Sequence, residues 1–411
     1  MGTYPGGAPS KVTTKVTDIK THVVRLTFCN TVIVQVETDE GITGVAEALM
    51  KRKSRTIEQS ILELKRYLVG KDPMEIETHW ERMYRDSFWV GGPMHCTSIS
   101  AVDCALWDIL GKATGLPVYK LLGGPTRRQV PVYCHCPAGA TPEVLAQNIK
   151  ACKARGYRAA KTTLPLFYGA KRADGGSKSR GSSYSGTHGE VDARWKETEL
   201  LDPSIFGRIR EFLLAAREAA GPEFGIAVDC HGRLNPKQAI RLCRELEDLN
   251  LLFLEEPVPP EGIEELCLVQ RETTITIAAG ERWATIYGVR PFLEKHAVDL
   301  LQCDIVNCGG ITGMKKIAAL AEAHYVGMAP HNPNGPVATM INLNYAAIVP
   351  NFFILETVGS AADDKVAGEF LKNPIRMEHG YMPLPCDPGF GFELNDQALE
   401  TRPPVTEDGT R

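Results

Sequence analysis

Leu251-Leu-Phe-Leu-Glu255 is a short apolar run closed by a carboxylate, and the same construction recurs along the second half of this 411-residue chain. Residues 226–228 lead to Asp229, 275–279 to Gly280 and Glu281, 298–301 to Asp304, 326–329 to His331, and 352–355 to Glu356. The six polar positions are 26, 26, 23, 27 and 25 residues apart. That interval is the length of one strand, one helix and their two loops, so residues spaced in this way can all stand at the ends of successive strands of one parallel barrel. Strands buried on both faces read as unbroken hydrophobic stretches, as these do. The segments between them, at 236–249, 262–271, 287–295 and 313–325, are amphipathic and of helix length. Any one of the carboxylates taken alone could simply cap the helix that follows it. Six in phase, each against a buried run, point to a TIM-type barrel of the α/β class whose polar strand ends face a single site.

Composition narrows the alternatives. A net charge of −4 and a pI of 6.2 give no basis for binding nucleic acid or an anionic membrane. No apolar run reaches the roughly 18 residues needed to span a bilayer. The opening Met1-Gly-Thr-Tyr-Pro-Gly-Gly-Ala-Pro-Ser10 lacks the charged and apolar regions of a secretory signal, so a cytoplasmic protein is expected. Twelve cysteines without paired metal-ligand spacing fit reduced thiols. In the strand candidate 130–136, alternation turns Cys134 and Cys136 to one face and His135 to the other. The cysteines read as packing, and His135 as a candidate site residue.

The length accommodates a barrel of about 250 residues and a further unit. Residues 13–48 read as a β-meander with a turn at Asp39-Glu40-Gly41, followed by helical patterns at 56–69, 73–88 and 98–114. Strands and then a run of helices make an α+β unit. The expected boundaries are 1–128 for this unit, 129–370 for the barrel, and 371–411 for a tail that packs back on the first unit. One interruption stands out after the second strand candidate, 159–166. Residues 168–195 are rich in Gly, Ser, Lys and Arg, with Lys171, Arg172, Lys178 and Arg180 among them. They form either a segment that closes over an anionic substrate on the catalytic face or a solvated loop.

Asp229, Glu255 and Glu281, from three adjacent strands, offer only oxygen ligands, which suit a hard divalent cation such as Mg²⁺ better than Zn²⁺. His231, two residues past Asp229, faces the same pocket if the strand continues that far. Asp304 and His331 lie on the next two strand ends, where the carboxylate can hold one imidazole nitrogen and make the other a general base. Glu356 can hydrogen-bond developing charge if it is protonated. Lys161 and Thr163 share one face of the second strand, across the barrel from His331. Such a set suits removal of a proton alpha to a carboxylate, and two histidines on different strands supply a base and an acid. That is the equipment for β-elimination of water.

Several motifs carry a resemblance. They are Ala227-Val-Asp-Cys-His-Gly-Arg233, Leu254-Glu-Glu-Pro257, Gly280-Glu281, Asp304-Ile-Val-Asn-Cys-Gly-Gly-Ile-Thr-Gly313 and Ala329-Pro-His-Asn-Pro-Asn-Gly-Pro336. With Ser100-Ala-Val-Asp-Cys-Ala-Leu-Trp-Asp108 and Leu121-Leu-Gly-Gly124 upstream, the chain resembles the enolase superfamily in its acid-sugar dehydratase branch, from about residue 15 to Pro388-Gly-Phe-Gly391. The resemblance implies an α+β capping domain on a modified (β/α)₇β barrel, Mg²⁺ as cofactor, and the loops at 27–31 and 47–55 as specificity elements. It implies Asp229, Glu255 and Glu281 as metal ligands, Asp304 and His331 as the basic dyad, and His231 as the acid that expels the 3-hydroxyl of an aldonate. Glu356 and Lys161 complete the expected catalytic set, with His135 and Arg233 as substrate-binding candidates. Where racemases and cycloisomerases of the superfamily carry Lys-x-Lys, this chain has Lys161-Thr-Thr163, so Lys161 is expected to bind or tune.

The substrate stays open at this level. The insertion and His135 resemble mannonate dehydratases, whereas the dyad and the Pro-His-Asn-Pro segment resemble galactonate dehydratases. The expected partners are a small-molecule sugar acid and, in a homo-oligomer, further copies of the chain, with no nucleic acid and no membrane. An epimerase or cycloisomerase on the same scaffold, a metal-dependent hydrolase, and a non-catalytic binding role are the competing readings.

Overall fold

The computed structural model describes residues 14–26, 29–168, 204–357 and 364–406. Period-two patterning builds the first sheet. Strand β2 (Asn30–Thr38) lies between β1 (Val16–Arg25) and β3 (Thr43–Ala48), antiparallel to both. The turn expected at 39–41 closes the second hairpin, with the Gly41 N–H on the Thr38 carbonyl at 3.1 Å. The helix Pro93–Thr114 packs along β3 and is buried over most of its length. It starts five residues earlier than the pattern predicts, because Pro93 at its first turn fixes a helical φ. The helix expected over 56–69 is two pieces, Ser54–Glu63 and Lys65–Leu68.

The second half follows the period. Strands β4 (Gln129–His135), β5 (Ala159–Thr162), β6 (Gly225–Asp229), β7 (Phe253–Glu255), β8 (Ile277–Ala279), β9 (Leu300–Leu301), β10 (Gly327–Met328) and β11 (Leu355–Thr357) pair in parallel in chain order, with β11 also beside β4. A parallel bridge between Met328 and Phe352 brings the last two strands together and completes the ring. Among the described residues, seven helices lie between these eight strands, from Pro142–Ala154 to Pro336–Ile348, which is the (β/α)₇β order. Inside the ring, Tyr133 and Phe253 meet edge to face, with centroids 5.8 Å apart, among Ala159, Ala227, Ala278, Leu300 and Ala329. Two large rings among small side chains fill the barrel, so the space beneath the strand ends is packed and dry.

The tail touches both units. Strand β12 (Tyr381–Pro383) pairs antiparallel with β4, while the Asn30 amide donates to the Val405 carbonyl at 2.7 Å. Ten of the twelve cysteines are buried. Among the described residues, no helix is long and apolar enough to cross a membrane.

Candidate active site

Parallel register sets the first two carboxylates side by side, because Asp229 at the end of β6 is opposite Glu255 at the end of β7. Both are buried above the apolar layer of Ala227 and Phe253, where an unmatched charge would be costly. Lys161 on β5 answers them. Its ammonium is 2.8 and 2.9 Å from the two Glu255 oxygens, 3.0 Å from Glu356 Oε1 and 4.0 Å from Asp229 Oδ2. Against the desolvation that would discharge it, Glu255 and then Glu356 hold this ammonium well above the ordinary lysine range. Burial pushes the Glu255 carboxyl up as well, but contacts to both of its oxygens mark the pair as ionic.

His231 arrives by a different route from the one the pleat suggests. Strand β6 ends at Asp229, and the chain turns with His231 at φ +51. Its N–H donates to Asp229 Oδ1 at 2.8 Å, and its Nε2 lies 2.8 Å from Asp229 Oδ2. A turn, not strand alternation, therefore brings the imidazole back over the carboxylate. Burial would raise Asp229, but the His231 charge outweighs it and lowers the group. Arg233 lies two residues further in the same turn, half-buried.

Glu281 follows β8 through Gly280, whose φ of +131 only glycine adopts without strain. Its Oε2 is 2.9 Å from His331 Nε2, and His331 Nδ1 is 2.9 Å from Asp304 Oδ2. The imidazole thus bridges two carboxylates. Despite burial, Glu281 and Glu356 hold it well above the ordinary histidine range, and it holds Glu281 well below the carboxylate range in return. Asp304 is fixed from the other side: the Asn334 amide donates to both of its oxygens at 3.1 Å, and the Val306 N–H donates to Oδ1 at 3.0 Å.

Glu356 on β11 is fully buried, 3.0 Å from the Asn332 N–H and in contact with His135 Nε2. Lys161, His135 and His331 outweigh its desolvation and keep it well below the carboxylate range. It accepts from its neighbours as an anion, so the protonated donor that the sequence suggests finds no support in this arrangement. His135, beside Lys161 in the β4–β5 register, keeps 40% of its side chain exposed and lines the approach to the site. The structure therefore brings together Lys161, Asp229, His231, Glu255, Glu281, Asp304, His331, Glu356 and His135. The insertion bearing Lys171, Arg172, Lys178 and Arg180 lies outside the described residues.

Three buried amides were not singled out from sequence. Gln302 donates to Glu255 Oε2 at 2.7 Å, Asn332 meets Glu356 through both backbone and side chain, and Asn334 holds Asp304. Gln302 directly follows an apolar run, in phase with the residues that were found. The asparagines sit between Pro330, Pro333 and Pro336, which make an extended, non-helical segment. Next to the site, Glu256 at φ +40 pairs with Arg282, and burial pushes its carboxyl up to about 7.

Among the described residues, no three His, Cys, Asp or Glu side chains are drawn together as a ligand set. Each of the three expected ligands faces a basic side chain of the chain itself: Asp229 meets His231, Glu255 meets Lys161, and Glu281 meets His331. The donor chemistry nevertheless fits a hard divalent ion. All the donors are oxygens at neighbouring strand ends, and burial together with mutual repulsion opposes the charge on both Asp229 and Glu255, a cost that a 2+ ion would relieve.

Comparison with known proteins gives the family. Residues 10–123 match the mandelate racemase / muconate lactonizing enzyme N-terminal domain, and residues 201–398 match the enolase C-terminal domain-like family. A D-galactonate dehydratase of Ralstonia pickettii is 35% identical over 89% of this chain and 88% of its own. A D-mannonate dehydratase of Caulobacter vibrioides is 32% identical over 93% and 95%. The crystal structure of a member of the enolase superfamily from Salmonella Typhimurium superposes with a TM-score of 0.84 at 29% identity, covering 95% of this chain and 99% of that one. With both halves of the fold matched and such relatives aligned over nearly their full length, the chain belongs to the enolase superfamily, in its acid-sugar dehydratase branch.

Proposed function

We propose that this chain dehydrates a sugar acid, an aldonate, to its 2-keto-3-deoxy acid by abstracting the α-proton and eliminating the 3-hydroxyl. The observation that carries the reading is the pair of imidazoles on opposite sides of one group of carboxylates, His331 on Asp304 and His231 on Asp229. Relatives named for galactonate and mannonate dehydration support the same reaction class, a hydro-lyase.

The contacts support a role for each residue. Asp304 occupies Nδ1 of His331, so the proton-accepting nitrogen would be Nε2, which lies against Glu281 here and must give up that contact and its proton before it can act as the base. His231 supplies the proton that a departing hydroxide needs. Lys161 and His135, both on Glu356, position the floor and rim against which the substrate lies, and Arg233 is assigned to the substrate with His135. Asp229, Glu255 and Glu281 would hold Mg²⁺, which when bound neutralises the charge that develops on a substrate carboxylate. The proposed divisions are a capping domain over 1–128, the barrel over 129–370 and the tail over 371–411. A cytoplasmic location is supported by the ten buried cysteines that stand as free thiols, and the expected assembly is a homo-oligomer, to be measured by light scattering.

The test is a library of sugar acids incubated with the protein and Mg²⁺ and scored for 2-keto acid as the semicarbazone. At least one aldonate should give product, and EDTA should abolish it. H331N should reduce the rate by about 10²- to 10⁴-fold. H231N should still exchange the α-proton for solvent deuterium while forming little product. Exchange into recovered substrate by the wild type, with no 2-keto acid from any aldonate, would favour the epimerase or cycloisomerase reading instead.

A further inference from the structure

The helix Pro336–Ile348 begins immediately after the His331–Asn332–Asn334 segment, and its N-cap residue, Gly335, has no side chain with which to cap it. Glu47 supplies the cap from the other domain. Its Oε1 accepts the Gly335 N–H at 2.7 Å and its Oε2 accepts the Ala338 N–H at 3.0 Å, across 288 and 291 residues of chain. The Thr31 hydroxyl, 2.9 Å from Oε1, holds the carboxylate from behind. Glu47 is 1% exposed, so the arrangement is dry. Glycine at 335 is required by this contact, because a Cβ there would lie 2.6 Å from Glu47 Oε1.

Where the carboxylate is fixed, so is what precedes it. Asn334 is the residue before Gly335 and holds both oxygens of Asp304. Asn332 carries the N–H on Glu356, and His331 lies between Asp304 and Glu281. We propose that Glu47 of the capping sheet is a positioning residue for the reaction, setting the His331–Asn334 segment so that the imidazole meets its partners. The capping domain then contributes to the chemical step as well as to the substrate-facing rim. This inference rests on the function proposed above.

E47Q keeps the size of the side chain but turns an amide N–H₂ toward one of the two backbone donors. Assayed well below its melting temperature, E47Q should lose about 10- to 100-fold in kcat, the scale that a misplacement of about 1 Å produces, with KM changed less than about threefold. A kcat within twofold of wild type would overturn the proposal. The double variant E47A/G335S gives the helix a serine cap of its own in the space that Glu47 vacates. It should recover most of the melting temperature lost in E47A but not kcat. Recovery of both would show that capping the helix is the whole role and would also overturn the proposal. If the wild type dehydrates no sugar acid, the function fails on its own account. Glu47 is then judged by the His331 imidazole N–H resonance, identified by its loss in H331N. A shift or loss of that resonance in E47Q supports the positioning role, and an unchanged resonance overturns it.

Discussion

Lys161 places one ammonium among Glu255, Glu356 and Asp229, and at 2% exposure it cannot share that work with water. Removing one partner of a buried ionic group leaves the others uncompensated, which typically costs about 3–5 kcal/mol. K161M, which keeps the stem and deletes the charge, should therefore lower the melting temperature by several degrees when measured by circular dichroism without divalent ions. A melting temperature unchanged within about a degree would mean that the carboxylates are not ionised together. The identity of these residues was legible in the sequence because each closes an apolar run at a fixed period. Their pairings were not legible. Lys161 was expected across the barrel from His331, which says nothing of its place among the carboxylates of Glu255, Glu356 and Asp229. Glu356 was read as a donor on the condition that it is protonated, and the basic groups that converge on it are separated from it by up to 221 positions and leave no local trace.

At the level of elements, a buried acid is among the contacts that join the helices Pro93–Thr114 and Gly310–Ala323. Asp103 Oδ2 accepts the Thr312 N–H at 3.0 Å in the first turn of the second helix, and burial pushes its carboxyl up from 3.8 to about 7. Between those two values the folded protein holds a proton that the unfolded chain has released. Stability from this group is therefore greatest below about pH 4, falls as pH rises, and has been lost by about pH 7. D103N keeps an acceptor for the Thr312 N–H and cannot ionise. The difference in melting temperature between about pH 4.5 and about pH 7.5 should narrow by a few degrees in D103N, and an identical difference would show that Asp103 titrates normally. The elements themselves were largely legible, since period and burial are local properties. Their ends were not: β9 and β10 are two residues each where the apolar runs span four, because hydrophobic side chains continue into buried loops that make no ladder. His231 shows the same limit, as a left-handed turn residue and not the next position of a strand.

The whole molecule is joined by buried polar contacts in which neither unit satisfies its own groups. The Trp80 indole N–H donates to the Gly309 carbonyl at 2.9 Å, and the Ser100 hydroxyl accepts the N–H groups of Gly309 and Gly310 at 2.8 and 3.0 Å. Asp108 of the helix Pro93–Thr114 accepts the Phe390 N–H of the tail at 3.0 Å. Separating the units would expose their apolar faces and leave each of these donors and acceptors unpaired, at about 1–3 kcal/mol per group that stays buried. Domains that merely touch unfold separately, but units that complete each other's hydrogen bonds should unfold together. Calorimetry of the full chain should therefore give one endotherm. A fragment beginning at residue 129 should retain helical far-ultraviolet signal while losing fixed near-ultraviolet signal and binding a hydrophobic dye. If that fragment instead melts sharply at a temperature close to that of the full chain, the barrel stands without its cap. The capping sheet would then be an accessory to the fold, and the reach of Glu47 into the barrel would be a local contact with no bearing on how the molecule holds together.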